Sequence, residues 1–285
     1  MRYVVLLGTG TPNADPDRAG SGVAIVAASA WLLVDCGRAV TQRTMQAGLD
    51  LTQLAAVLLT HHHSDHIGDL ATLATARWTA GAAAPLRVIC PNGPCAKHAS
   101  TCLDAFEDQS FYGQSRPASG PRPAIEVVAF TPSVHAEALA SLDAWRVESA
   151  LVDHGPIEAA VGYRIGEGGH VVAVSGDTTA CESVAQLARH ADVLIHEALD
   201  PGAVRHELLT WNAAADAVGE LARRAEVRQL VLTHLIPTPR SSADEDRLVE
   251  LARAGGYEGP ITVAHDLDRI ELAGPSHEGR AREHG

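Results

Sequence analysis

The chain has 285 residues, of which 46% are hydrophobic, and a formal net charge of −13. This length suits one large domain or two small ones, and no run approaches the roughly 18 uncharged apolar residues of a membrane helix. The acidic balance disfavours a large polyanionic partner such as nucleic acid, because binding relies on basic side chains and the sequence has a single lysine, Lys97.

Alternating apolar and amphipathic stretches predict a mixed α/β chain. Strands are predicted near residues 3–7, 22–28, 31–35, 55–60, 86–90, 125–130, 145–152, 160–165, 170–175, 193–196, 229–233 and 261–264. Helices are predicted near residues 38–47, 66–80, 95–107, 180–190, 212–224 and 242–254. Two mixed sheets between helical layers, a four-layer αββα sandwich, would bury these strands on both sides.

We expect residues 1–273 to form one domain and residues 274–285 to form a polar, frayed tail. The segment Ser110–Pro123 is rich in Pro, Gly and Ser, and is either a flap over a site or a disordered surface loop. Met1 is followed at once by a predicted strand without a basic leader, so we expect a cytoplasmic protein with no membrane partner. The five cysteines are then expected to be reduced thiols.

The run Thr60–His66 is the most informative part of the chain. It contains His-x-His-x-Asp-His, formed by His61, His63, Asp65 and His66, between a predicted strand and a predicted helix. Three imidazoles and a carboxylate so close together are typical of metal ligands. Asp65 could instead cap the following helix, and His62 would face away from its neighbours if the segment is extended.

Later apolar runs also end in residues of ligand type. His154, Asp177, Glu197 and His234 follow or end such runs. Because α/β folds gather their sites at the carboxyl ends of strands, we expect several of these side chains to meet. Asp177 could be an ordinary turn residue, and His135 is an alternative to His154.

Ordered motifs along residues 3–272 resemble the metallo-β-lactamase superfamily, and the closest branch resembles ribonuclease Z and the arylsulfatase-like hydrolases. The motifs are Leu6-Leu7-Gly8-Thr9-Gly10-Thr11-Pro12, Leu33-Val34-Asp35-Cys36-Gly37, the histidine run, His154, Ser175-Gly176-Asp177-Thr178 and Thr233-His234. The resemblance implies two divalent metal ions, with zinc expected and manganese or iron possible. One ion would be held by His61, His63 and His154, and the other by Asp65, His66 and His234, with Asp177 bridging them.

The resemblance also implies catalytic roles beside the metals. A metal-bridging hydroxide would be the nucleophile, and Asp65 belongs to the expected catalytic set. His206 resembles the family's histidine ahead of a helix and would stabilise or protonate the leaving group, unless it is a surface residue. Glu197 would orient a histidine or be a buried structural acid. Asp35 would support the metal loop from behind.

These features predict a hydrolase of a small phosphodiester or aryl sulfate ester. Only 22 residues separate His154 from Asp177, so the long arm that ribonuclease Z uses for tRNA is absent from that place. Alternatives are a lactone, thioester or β-lactam hydrolase on the same site, and a tRNA 3′-processing endonuclease. Ligand sensing without catalysis is a further alternative of another class. A homodimer is expected from the resemblance alone.

Overall fold

The computed structural model describes residues 1–106, 120–139, 142 and 145–272. Its strands are β1 (Tyr3–Gly8), β2 (Gly22–Val26), β3 (Trp31–Val34), β4 (Leu54–Leu58), β5 (Leu86–Pro91), β6 (Ile125–Phe130), β7 (Glu137–Ala138), β8 (Arg146–Leu151), β9 (Val161–Glu167), β10 (His170–Val174), β11 (Val193–Leu199), β12 (Gln229–Ile236), β13 (Ile261–Val263) and β14 (Asp268–Glu271). Its α-helices are α1 (Val40–Gln46), α2 (Ser64–Ile67), α3 (Leu70–Thr79), α4 (Pro94–Thr101), α5 (Glu182–Ala188), α6 (Ala215–Arg224) and α7 (Ser242–Ala254).

The strands form two seven-stranded mixed sheets. The first has the order β14-β1-β2-β3-β4-β5-β6 and the second has the order β13-β12-β11-β10-β9-β8-β7. In the first sheet β3 to β6 run parallel, and in the second β10 to β13 run parallel. The parallel part of each sheet therefore presents several carboxyl ends at one edge, where candidate ligands follow β4 and β10 and His234 lies near the end of β12.

Three apolar clusters separate the layers. Leu6, Ile25, Tyr163 and Ile195 belong to the buried cluster between the two sheets. A second cluster joins the first sheet to α1, α3 and α4, and a third joins the second sheet to α5, α6 and α7. The expected αββα sandwich is therefore confirmed. Among the helices of the described residues, none is long and apolar enough to cross a membrane.

The sequence-based prediction missed two edge strands. β14 pairs antiparallel with β1, and the two-residue strand β7 pairs antiparallel with β8. Each is short and carries charged side chains, and only Ile270 of β14 is buried. Their strand conformation follows from hydrogen bonds to a neighbouring strand, which no local pattern reveals.

The prediction of single helices at residues 66–80 and 95–107 was wrong. The first is divided into α2 and α3 around Gly68 and Asp69, where the Asp69 carboxylate accepts a hydrogen bond from the backbone N–H of Thr41 at 2.8 Å. The second ends at Thr101 and is followed by a separate 3₁₀ turn at Asp104–Phe106. The α2–α3 break therefore coincides with a tertiary contact that local sequence does not encode.

A hairpin turn at residues 166–169 joins β9 to β10. Glu167 pairs with His170 across it, and Gly168 and Gly169 both have positive φ, at 61° and 86°. Two consecutive positive φ angles match the tight turns that suit the right-handed twist of paired strands.

Of the predicted flap, residues 110–119 lie outside the described residues, as does the predicted tail.

Candidate metal centre

Two groups of histidine and aspartate side chains meet where the two sheets present their strand ends. His61, His63, His154 and Asp177 form the first group, and Asp65, His66 and His234 form the second. Within each group, one donor atom from every residue lies within 4.8 Å of the others. The structure thus brings together all seven residues that the sequence predicted as ligands. It leaves His62 and His135 outside both groups.

The backbone around Asp65 is held by two glycines that no other residue could replace without movement. A Cβ atom on Gly20 would lie 2.6 Å from the Asp65 carbonyl oxygen, and one on Gly37 would overlap that oxygen. Ser21 N–H also donates to the same carbonyl at 2.8 Å. The loop after β4 is therefore supported by the segments that follow β1 and β3.

Asp177 lies between the two groups. Its Oδ2 atom is 3.8 Å from His61 Nε2 and 3.9 Å from His154 Nε2 on one side. Its carboxylate is 3.3 Å from His66 Nε2 and 3.4 Å from His234 Nε2 on the other. A carboxylate in this position can contact ions held by either group.

Several buried nitrogen and oxygen atoms of the candidate ligands have no hydrogen-bond partner. They include His61 Nε2, His66 Nε2, Asp65 Oδ1 and His234 Nδ1. An unpaired buried polar atom costs free energy, and in native proteins it calls for an explanation such as an ion. Imidazole nitrogens and carboxylate oxygens are donors that suit zinc and similar divalent metals. The donor set therefore fits a metal.

Burial and neighbouring charge shift the pKa values of these groups in opposite directions. Burial holds the pKa of His61 well below its usual range, and the nearby histidines lower it further. Burial opposes the charged form of His66, but the carboxylates of Asp177 and Asp35 outweigh it and raise that pKa well above normal. Asp177 is likewise buried, yet His234 and His66 hold its pKa well below normal. Close imidazoles and carboxylates thus compensate one another electrostatically.

The outer nitrogens of three histidines are fixed by protein oxygens. The Asp35 carboxylate lies 2.8 Å from His66 Nδ1, as the sequence predicted, and also accepts from Thr60 N–H at 2.8 Å. Thr60 Oγ1 lies 3.0 Å from His61 Nδ1. The main-chain carbonyl of Trp211 lies 3.0 Å from His154 Nδ1. Such contacts fix the ring orientation and leave Nε2 of each histidine facing the cluster.

Thr60 and Trp211 were not predicted from the sequence. Thr60 could have been suspected because it directly precedes the histidine run. Trp211 contributes a main-chain oxygen, which every residue has, so no side-chain pattern could have indicated it.

Glu197 and His206 occupy different surroundings. Glu197 is buried, and its Oε1 accepts a hydrogen bond from the backbone N–H of Thr178, next to Asp177. Burial and the Asp177 charge raise the pKa of Glu197 well above its usual range. His206 is exposed at the start of a 3₁₀ turn, His206–Thr210, and lies in neither ligand group.

Comparison with known proteins places the fold and site in a family. A family model described as Beta-lactamase superfamily domain matches residues 30–235. The chain is 35% identical to a protein named ribonuclease Z from Mycobacterium bovis, over 95% of this chain and 99% of that one. The chain therefore belongs to the metallo-β-lactamase superfamily, and it is a metal-dependent hydrolase.

Solved structures agree with this fold. The metallo-β-lactamase fold protein YhfI from Bacillus subtilis superimposes with a TM-score of 0.73 at 22% identity, covering 95% of this chain and 99% of that one. The short form of human tRNase Z superimposes with a TM-score of 0.67 at 19% identity, with the same coverage.

Proposed function

We propose that the protein hydrolyses a small phosphodiester or aryl sulfate ester with a dinuclear metal centre. The observation that carries this proposal is the cluster of seven buried or half-buried side chains of ligand type, in which four histidines place Nε2 within 3.9 Å of the Asp177 carboxylate. The proposed ions are zinc, with manganese or iron as alternatives. When bound, such ions lower the pKa of water toward neutrality and polarise an ester oxygen.

The residues of the chain have separate tasks in this proposal. His61, His63 and His154 would hold one ion, Asp65, His66 and His234 would hold the other, and Asp177 lies between the two groups. Asp35, Thr60 and the Trp211 carbonyl orient the rings before substrate arrives. Glu197 positions Asp177 through the Thr178 N–H. His206 remains the proposed proton donor to the leaving group. It is exposed and lies outside both ligand groups, so the leaving group of the bound substrate would have to extend to it.

Charge supports a small substrate. A net charge of −13 opposes the approach of a polyanion, because the binding of nucleic acid relies on basic side chains that neutralise its phosphates. The curated relatives are named ribonuclease Z, and a ribonuclease breaks phosphodiester bonds. A phosphodiester is therefore the ester that fits both the names of the relatives and the proposed metal site.

Processing of tRNA is a second candidate, favoured by one specific observation. The alignment with the mycobacterial ribonuclease Z covers 99% of that protein over 283 positions, so it has no long inserted arm either. The short connection between His154 and Asp177 therefore does not by itself count against an RNA substrate. The negative net charge of the chain is then the main argument against one.

Initial rates with zinc- or manganese-loaded protein would test these proposals. The substrates are bis(p-nitrophenyl) phosphate, p-nitrophenyl sulfate, a simple lactone and a tRNA precursor with a 3′ trailer. Metal-dependent turnover of the first or second, reduced in His206→Ala, supports the proposal and the role of His206. Cleavage of the precursor at low protein concentration favours the tRNA candidate, and turnover of the lactone alone contradicts both.

Asp177→Asn tests the centre itself. We expect turnover to fall more than about 100-fold and bound metal to be lost, because outer partners of metal ligands alone are worth about 10- to 100-fold. Metal content after desalting and initial rates measure this. Asp216→Asn, on the exposed face of α6, is the matched control and should leave both values unchanged. Full metal content and wild-type turnover in Asp177→Asn would contradict the assignment.

A further inference from the structure

A cavity of about 510 Å³ opens beside His154. One side is formed by residues between the end of β8 at Leu151 and Glu158, and the other by residues between Cys181 and Gln186 at the start of α5, with Val134 and His135 at the margin. Backbone hydrogen bonds fix these sides together. Leu151 N–H donates to Ser133 O at 2.7 Å, and Thr179 N–H donates to Asp153 O at 2.8 Å. The cavity is therefore a built feature of the framework that carries His154.

The lining combines apolar surface with negative charge. Val134, Leu151, Val152 and Ile157 supply the apolar surface, and the acidic residues are Asp153, Glu158 and Glu182. No Lys or Arg is among the described residues that line the cavity. Glu182 is neutralised by an ion pair with Arg224. Asp153 and Glu158 are exposed and form no ion pair within the part of the chain that the structure describes.

The apolar and acidic lining of the cavity favours some substrate groups over others. An apolar group gains free energy when it leaves water, whereas a phosphate-rich chain would face two uncompensated carboxylates without a cation. A cationic group would be attracted by the same carboxylates. Because His154 forms part of the wall, a group in the cavity would lie directly beside an ester held at the metal centre.

We propose that this cavity binds the non-reacting ester group of the substrate, and that this group is apolar and either neutral or cationic. The inference rests on the proposed function and narrows its substrate to a small phosphodiester of such an alcohol. RNA, whose neighbouring groups are anionic phosphates, is disfavoured by the same lining.

Four diesters with one constant leaving group test the proposal. Each carries p-nitrophenol as the leaving group, and the second ester is methyl, phenyl, choline or carboxyphenyl. We expect kcat/KM for the phenyl and choline esters to exceed that of the methyl ester by about tenfold or more, and the carboxyphenyl ester to be poorer than the phenyl ester.

Charge reversal at Glu158 provides the matched variant. Relative to the methyl ester, Glu158→Arg should lower kcat/KM for the choline ester about tenfold and raise it for the carboxyphenyl ester. Glu220→Arg makes the same change on the exposed face of α6 and should alter none of these values. Metal-dependent turnover of all four esters at equal kcat/KM would overturn the cavity assignment and leave the proposed function standing.

Cys181 provides a readout that does not depend on turnover. It lines the cavity, and burial acts to raise its pKa, but hydrogen bonds with Ser183 and Thr178 outweigh burial and lower that pKa. By contrast, burial raises the pKa of Cys102 to about 11. Iodoacetamide should therefore modify Cys181 first, with Cys181→Ser as the control. Protection by the choline and phenyl esters, but not by the carboxyphenyl ester, supports the cavity even if no diester is hydrolysed. Equal protection of Cys181 by all of these esters, or protection by none of them, contradicts the proposed role of the cavity.

Discussion

His154 depends on a contact between one glycine and one tryptophan. Its Nδ1 lies 3.0 Å from the Trp211 carbonyl oxygen, and the Trp211 ring packs over Gly155. Gly155 has φ of +57°, and a Cβ atom there would lie 2.8 Å from Trp211 Cγ. The absence of a side chain at Gly155 therefore lets Trp211 approach and fix the ring of a proposed ligand.

Gly155→Ala should weaken metal binding. The added methyl group would push Trp211 away, and His154 would lose the oxygen that fixes its ring. Loss of such an outer partner typically lowers metal affinity about 10- to 100-fold. Competition titration against a chromophoric chelator would measure the change.

Gly48→Ala separates this effect from backbone strain. Gly48 also has positive φ, at +70°, but a Cβ atom there would meet nothing within 4 Å. Both variants therefore share a strain cost of about 1 kcal/mol in unfolding free energy, while only Gly155→Ala displaces Trp211. Equal metal affinities in the two variants would show that the Trp211 contact does not support His154.

At the scale of elements, the sequence predicted what local pattern and ligand chemistry encode. The histidine run lies within seven consecutive residues. Asp177 follows β10, and His234 lies near the carboxyl end of β12 in the same parallel part of the second sheet. Pairing between strands places residues at their carboxyl ends close together, independently of the conformation of the loops around them. Strand pattern alone indicated that several of these side chains meet, and the family resemblance implied the full set of seven ligands.

Features that depend on distant partners could not be predicted. β14 exists because Tyr3–Leu6 offers an edge for pairing, and α3 begins beyond the Asp69–Thr41 contact. The orientation of His154 depends on a main-chain oxygen 57 residues away in sequence. Short polar stretches and backbone oxygens carry no periodic signal, so tertiary structure alone determines their roles.

Strand β11 contains a histidine that should make the protein acid-sensitive. His196 is fully buried, its Nδ1 lies 2.8 Å from the Glu197 carbonyl oxygen, and burial lowers its pKa to about 4. Its pKa in the unfolded chain is about 6.5, so the unfolded state binds a proton that the folded state refuses between these values. Stability is therefore unaffected above pH 6.5 and falls progressively as pH drops toward 4.

His196→Leu should reduce this sensitivity. Between pH 7 and pH 5 the wild type should lose about 2 kcal/mol more unfolding free energy than the variant, as the two pKa values imply. Urea denaturation at both pH values, with a chelator present, measures it. The control His135→Leu removes an exposed histidine and should behave as the wild type. An equal loss in the wild type and His196→Leu would contradict the burial argument.

At the scale of the whole molecule, the candidate metal centre joins the two halves of the sandwich. His61, His63, Asp65 and His66 follow a strand of the first sheet, whereas His154, Asp177 and His234 belong to the second. A metal held by residues from both sheets binds the folded chain far better than the unfolded one. Its binding free energy therefore stabilises the packing of one sheet against the other.

Metal loading should consequently raise the melting temperature of the entire protein. At a free metal concentration 100 times Kd, the unfolding free energy should rise by about 2.7 kcal/mol for each independent site, which for a chain of 285 residues corresponds to a shift of roughly 4–5 °C for each site. Differential scanning calorimetry with zinc and with excess chelator measures this shift, and Asp177→Asn should lose most of it. The apolar clusters on both sides of each sheet do not contain the ligands, so the chelated protein should still unfold in a cooperative transition. A wild-type melting temperature that is the same with zinc and with chelator would show that no metal links the two sheets.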